Sequence, residues 1–271
     1  MEKCSKKTIT RFSKRIFKST LITLAIFCLG QNLHAQEPDL LRFVYPAGIN
    51  AGFSFGSYSV KDQYISQEKY TGTMPMINVG WARCHDKYVY HLSFEYGKSG
   101  DVSNNNVQTD ITQFRLAQGF LYPLNNHSRN PEKISLYLGP TTEIFYCGND
   151  PKIAVSGFDY TNSIAVMLSL GVSFNAIYPL SNKFQLESSL GITALSLGWR
   201  SVDSEEDDQA QTKLLTLVSG LNMPFDLGIR YKFYRRFSAG AGYQFQLTSI
   251  TAWEPLISSS NSFFIGLNYN L

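Results

Sequence analysis

Three side chains that could act together stand two apart in His91-x-Ser93-x-Glu95. A base beside a hydroxyl nucleophile, with an acid to orient the base, is the arrangement of acyl hydrolysis. Alternate residues of a strand share a face, so all three would point the same way. The spacing works against a direct relay. Side chains at i and i+2 stand roughly 7 Å apart along a strand, beyond hydrogen-bond reach. A polar, solvated face would use the same residues with no chemistry at all, and that reading is preferred.

A second set is spread along the chain: Glu95, Arg115, Glu143, Glu187, Asp226, Arg230 and Lys232. Each sits on the small or polar face of an alternating segment. Four acids and three bases nearly cancel, which fits a mutually satisfying network better than a selectivity lining. A third set, Glu205-Glu206-Asp207-Asp208 with Asp203, lacks the spaced ligands and glycine of a calcium loop and reads as a solvated loop. No CxxC pair, Cys/His cluster, phosphate loop or dinucleotide fingerprint occurs, so neither a metal nor a cofactor is expected.

The elements that must position these residues begin after a leader. Residues 1–35 carry seven Lys/Arg and one acid, then the apolar run Leu21–Gly30, then Leu33-His34-Ala35. Charged, apolar, then cleavable is the secretory pattern. The apolar core of about ten residues is short of the roughly 20 that span a bilayer as helix. Cleavage is expected after Ala35, and Phe27 before Cys28 argues against a lipoprotein. Without the leader, Lys+Arg falls from 24 to 17 and Asp+Glu from 21 to 20, so a chain of formal charge +3 becomes one of −3. The remaining composition, 44% apolar and 14% aromatic over the whole 271 residues, excludes disorder, collagen and a disulfide miniprotein. The mild negative balance excludes nucleic acid as an expected partner.

From residue 47 onward the chain alternates by twos. In Ile164–Tyr178, Ile164, Val166, Leu168, Leu170, Val172, Phe174, Ala176 and Tyr178 make one large apolar face, opposed by Ser169, Gly171, Ser173 and Asn175. Ten such runs are expected: 47–60, 73–84, 87–98, 109–123, 133–146, 163–178, 183–199, 215–233, 237–248 and 262–271. A soluble sandwich also alternates, but its outward face is polar. Here the small, polar face suits a narrow wet interior, and the apolar face needs a nonaqueous solvent. A closed transmembrane barrel supplies both. The fold expected is all-β, a single antiparallel transmembrane barrel of about ten strands, with eight as the alternative. Residues 36–46 form a short periplasmic segment and 47–271 the barrel.

The connections set an orientation. Turns at 61–72, 99–108, 147–162, 200–214 and 249–261 are long. Those at His85-Asp86, Leu180-Ser181-Asn182 and Tyr234-Arg235-Arg236 are brief, while 124–132 is longer. Long outside and short inside is the outer-membrane habit. Tyr122-Pro123, Tyr178-Pro179 and Tyr234 recur every 56 residues, each closing a descending strand where an interfacial tyrosine fits. At the C-terminus Phe263, Ile265, Leu267, Tyr269 and Leu271 face one way and Gly266, Asn268 and Asn270 the other. This resembles the terminal strand by which barrel-assembly machinery recognises its clients, except that Leu271 stands where an aromatic residue is usual.

Taken over residues 45–271, the chain resembles the small outer-membrane β-barrel proteins of Gram-negative bacteria, of the PorT-type and OmpA-membrane-domain-like kind. The resemblance implies an outer-membrane location, lipid and lipopolysaccharide as surroundings, and the barrel-assembly machinery as a partner in biogenesis. The pair His91 and Ser93 is also similar to that of outer-membrane lipid A deacylases. Three functions follow as expectations. The first is a non-enzymatic structural or surface-interaction protein, as a subunit of an envelope assembly. The second is a narrow pore for small solutes, and the third a lipid-modifying hydrolase using His91, Ser93 and Glu95. Cys84 and Cys147 are expected to be free thiols at opposite rims.

Overall fold

The computed structural model describes residues 47–65, 67–104, 108–124, 134–152, 162–202 and 209–271. The expected leader 1–35, the segment 36–46 and the acidic cluster within 203–208 lie outside them. Among the described residues every regular element is a strand. They are β1 (Gly48–Asp62), β2 (Tyr70–Cys84), β3 (Val89–Ser103), β4 (Gln108–Pro123), β5 (Ser135–Lys152), β6 (Ser163–Pro179), β7 (Phe184–Val202), β8 (Gln209–Thr216), β9 (Gly220–Tyr234), β10 (Phe237–Ile250) and β11 (Leu256–Asn270).

Except for β8 and β9, each strand pairs antiparallel with its neighbour in sequence. β1 pairs β11 from Gly48↔Asn270 to Asp62↔Leu256, and β6 pairs β7, so the sheet closes, with β8 alone among the described strands paired on one side only. β8 and β9 share one strand position. β8 pairs the distal part of β7 (Leu195↔Thr216 to Val202↔Gln209), and β9 pairs its beginning (Phe184↔Tyr231 to Leu190↔Phe225). The interruption at 217–219 is held by Ser219 N donating to Thr216 O at 3.0 Å. The barrel therefore has ten strand positions, and the expected eighth run, 215–233, is two strands in register with one partner.

Both ends of the described chain lie on one rim, here the terminal rim. Short turns join the strands there, with His85 N bonded to Tyr88 O at 2.8 Å and Leu180 N to Phe184 O at 2.9 Å. Aromatic rings crowd this rim on the outside. Tyr88 and Tyr90 pack on Phe120 at 5.6 and 5.2 Å between centroids, and Phe184 stacks on Tyr231 at 4.7 Å. Tyr122, Tyr178 and Tyr234, the three repeated tyrosines, are all exposed on it. Above the girdle the wall is apolar outward: Phe53, Val79, Val172, Leu227 and Ile265 are exposed. In the last strand Phe263, Ile265, Leu267 and Leu271 lie 41–74% exposed, with Asn268 buried on the opposite face.

The strands run further toward the opposite, distal rim than expected. Apart from β8 they are 14 to 19 residues long, beyond the 9–11 or so that cross a bilayer. Parts of the turns expected at 61–72, 99–108, 147–162, 200–214 and 249–261 are consequently strand, namely 61–62 and 70–72, 99–103 and 108, 147–152, 200–202 and 209–214, and 249–250 and 256–261. The cause is an inversion of sense partway up the wall. On β1, Ile49, Phe53 and Phe55 point out, but beyond them Tyr58 and Val60 are buried inside while Ser57 is exposed. On β2, Val79 and Ile77 point out, whereas Met76, Met74 and Tyr70 point in. On β1 and β2 the distal part thus alternates as a water-soluble barrel does, polar outside and apolar inside, whereas on β7 and β8 Leu197, Trp199 and Leu214 keep the outer face apolar.

That inversion creates a core. Tyr58, Val60, Tyr70, Met74, Met76, Val102, Ile111, Phe145, Cys147, Met167, Leu215, Ile250, Trp253 and Leu256 fill the distal half of the barrel. Gly198 lets the filling close up, since a Cβ there would stand 2.6 Å from Leu215 Cδ1 and 3.0 Å from Trp253. Cys147, expected at the external rim, is instead buried in this cluster, because β5 continues for five residues beyond it. Neither Cys84 nor Cys147 is in a disulfide.

Candidate functional site: the lumen

The barrel interior has three levels above a small apolar cluster at the terminal rim, Ala82, Val89, Leu121, Tyr137 and Ile177. The lowest holds a cavity of about 300 Å³. The middle is a polar belt and the upper is the apolar core. Inward residues of β3, β4, β5, β9 and β10 build the belt, because each falls on the small, polar face of its strand.

Arg115 is the hub of the belt. Its Nε donates to Glu143 Oε2 at 2.8 Å and its Nη1 reaches Glu95 Oε1 at 3.4 Å. Glu95 and Arg115 are direct cross-strand partners on β3 and β4. Glu143, on β5, also accepts from Asn222 Nδ2 across the lumen. Asn222 Oδ1 in turn accepts from Thr248 Oγ1 at 2.8 Å and Gln246 Nε2 at 3.4 Å. Gln246 Oε1 accepts from Gln113 Nε2 at 2.9 Å, which returns the chain of bonds to β4. The belt therefore ties opposite walls together. Its charges are mostly sheltered, with Arg115, Glu95 and Glu143 side chains 13%, 19% and 8% exposed.

Below the belt, Arg230 Nη2 pairs with Glu187 Oε2 at 2.8 Å, and Asp226 Oδ2 accepts from Ser189 Oγ at 2.7 Å. Lys232 lies one inward position further down β9, opposite Ser238 in register. The seven charges expected on the inward faces are thus divided into an Arg115 group with Glu95 and Glu143, an Arg230–Glu187 pair, and Asp226 and Lys232 beside them.

His91, Ser93 and Glu95 share the inward face of β3 and line the cavity. They do not form a relay. Glu95 is turned to Arg115, and His91 Nε2 has no hydrogen-bond partner.

The distal seal contains a pair that sequence reasoning missed. Arg200 on β7 and Asp62 at the end of β1 form an ion pair whose side chains are 1% and 0% exposed. Arg200 also donates to the carbonyl of Glu254 and to Ser163 Oγ, and its guanidinium lies 4.4 Å from the Tyr64 ring centroid. One side chain so joins β1, β6, β7 and the β10–β11 turn. The signal was present: Arg200 continues the inward series Ser196, Gly198, and Asp62 continues Tyr58, Val60. Both fall in segments expected to be loops.

No protein-family model matches this chain, and no curated protein sequence matches it. Solved structures do. The outer membrane protease OmpT from Escherichia coli superposes with a TM-score of 0.52 at 9% identity, over 84% of this chain and 98% of that one. The translocator domain of the autotransporter NalP from Neisseria meningitidis matches with a TM-score of 0.49 at 10% identity, covering 98% and 97%. Neisserial surface protein A matches with a TM-score of 0.37 at 13% identity, covering 84% and 99%. At 9% identity the likeness to the protease OmpT is one of fold alone, that of a closed antiparallel outer-membrane barrel.

Proposed function

We propose that this chain is a non-enzymatic outer-membrane barrel of the PorT-type and OmpA-membrane-domain-like kind. Its role is structural and surface-interactive, within an envelope assembly. It is exported by a leader cleaved after Ala35 and inserted by the barrel-assembly machinery through its last strand. Lipid and lipopolysaccharide surround its apolar wall. The terminal rim faces the periplasm.

The observation that carries this reading is the filled distal half. An apolar core and a buried ion pair occupy the distal half of the lumen, which favours a structural role over a narrow pore. The same strands carry a polar outer wall, Ser57, Ser59 and Lys61 on β1 with Thr71 and Thr73 on β2, beyond the apolar band. A rigid wall standing clear of lipid suits contact with other envelope components. The hydrolase reading is not favoured, because Glu95 is turned to Arg115 and His91 Nε2 has no hydrogen-bond partner.

A photo-crosslinking residue at Thr73, compared with one at Ile265, tests the proposal in intact cells. Thr73 should yield a discrete protein adduct and Ile265 lipid adducts alone. Absence of any protein adduct at Thr73, with normal insertion, contradicts it.

A further inference from the structure

We propose that the luminal cavity is a binding site for a short aliphatic amine, held by its ammonium groups. The cavity is lined by four carboxylates, Glu95, Glu143, Glu187 and Asp226, and by two guanidiniums, Arg115 and Arg230. Arg115 is divided between Glu95 and Glu143, and Arg230 is engaged by Glu187. Among the described residues Asp226 accepts from the Ser189 hydroxyl and has no cation in contact, and it lies within electrostatic range of both Arg115 and Glu95. Lys232, one inward position below Arg230, brings the luminal count to four acids and three bases, and the one carboxylate in excess is costly in a sheltered lumen unless a cation balances it.

Two unsatisfied polar atoms point the same way, an amide oxygen that accepts and an imidazole nitrogen that accepts when its ring carries the proton on Nδ1. Asn78 Oδ1 and His91 Nε2 both belong to cavity-lining residues, and neither has a hydrogen-bond partner. Arg230 Nε is an unsatisfied donor on the same wall, but its guanidinium already carries Glu187. An ammonium group brings three donors and one charge, which is what the unfilled side of this cavity lacks. The described residues hold no cluster of His, Cys, Asp and Glu able to ligate a metal, which favours an organic cation. A volume of about 300 Å³ sits at the small end of ligand cavities, so the molecule must be short.

Space for the ligand can be removed without touching a charge. A Cβ built on Gly240 would meet nothing nearer than Asn268 Nδ2 at 3.8 Å, so a larger side chain there would enter the open lumen. The test is calorimetric titration of the full-length protein, purified from outer membranes in detergent, with 1,4-diaminobutane. 1,4-Butanediol and succinate serve as neutral and anionic counterparts of the same length. Saturable binding of the diamine alone is expected. It should weaken at least tenfold in Asp226→Asn and be lost in Gly240→Leu, with folding of each variant verified by its mobility on unheated gels. Equal binding of the diol, no diamine binding to folded wild type, or unchanged binding in both folded variants overturns the proposal.

Discussion

Replacing Arg200 by Met should be among the most damaging single changes in the barrel. The guanidinium and its partner carboxylate are 1% and 0% exposed, so the pair has no access to water. Removing one partner strands Asp62 as a buried charge, which costs about 3–5 kcal/mol. The Glu254 carbonyl and Ser163 Oγ lose a donor as well. Removing both charges in Asp62→Leu/Arg200→Met should cost clearly less than the single change, since a buried pair is often replaceable by apolar residues. Urea unfolding in detergent, followed by tryptophan emission, reads both variants, with Trp253 reporting directly from this cluster. Because the pair is out of water, raising the salt should leave the wild-type midpoint nearly unchanged. A single-variant cost below about 1 kcal/mol, the range of exposed pairs, would refute the reasoning.

Three further outcomes are expected. Val172→Arg places a cation in the middle of the outward band of β6 and should cost about 2–4 kcal/mol, whereas Ser59→Arg, on the polar distal wall, should cost about 0–1 kcal/mol; refolding titrations into lipid vesicles compare them, and equal penalties contradict the assigned band. Cys147 is only 2% exposed, so a maleimide should fail to label it in the folded protein and label it fully after denaturation; rapid labelling of the native barrel contradicts the filled distal half. Ser93→Ala should leave the lipid A mass spectrum of the cells unchanged, and a shift by one acyl chain would restore the hydrolase reading.

The membrane half of this fold is legible in the sequence because lipid imposes one rule on every strand: Ile49, Phe53, Val172 and Ile265 must point outward, and closure makes their neighbours point in. The distal half is not legible by that rule. Tyr58 and Val60 sit one step out of phase with Phe53 and Phe55, and Met74 and Met76 oppose Ile77 and Val79. Read for an apolar outer face alone, the strands stop at 60 and resume at 73, and 61–62 and 70–72 fall into the expected turn. Arg115, Glu95 and Glu143 could be placed on inward faces, but not joined, since their union depends on which strands meet across the ring. Asn222, Gln113 and Gln246, which complete the belt, look like ordinary polar residues of an inner face. Arg200 and Asp62 were hidden by the same misplaced boundaries. A search for strands whose apolar face switches sides would have found them.

Single-channel recording in planar bilayers tests the closed interior most directly. The folded wild-type barrel, inserted at a density verified by gel, should produce no stable conductance steps at any applied voltage, because the belt and the distal core block the path. Reproducible ohmic steps from the same preparation would contradict the filled lumen and return the protein to the class of solute pores.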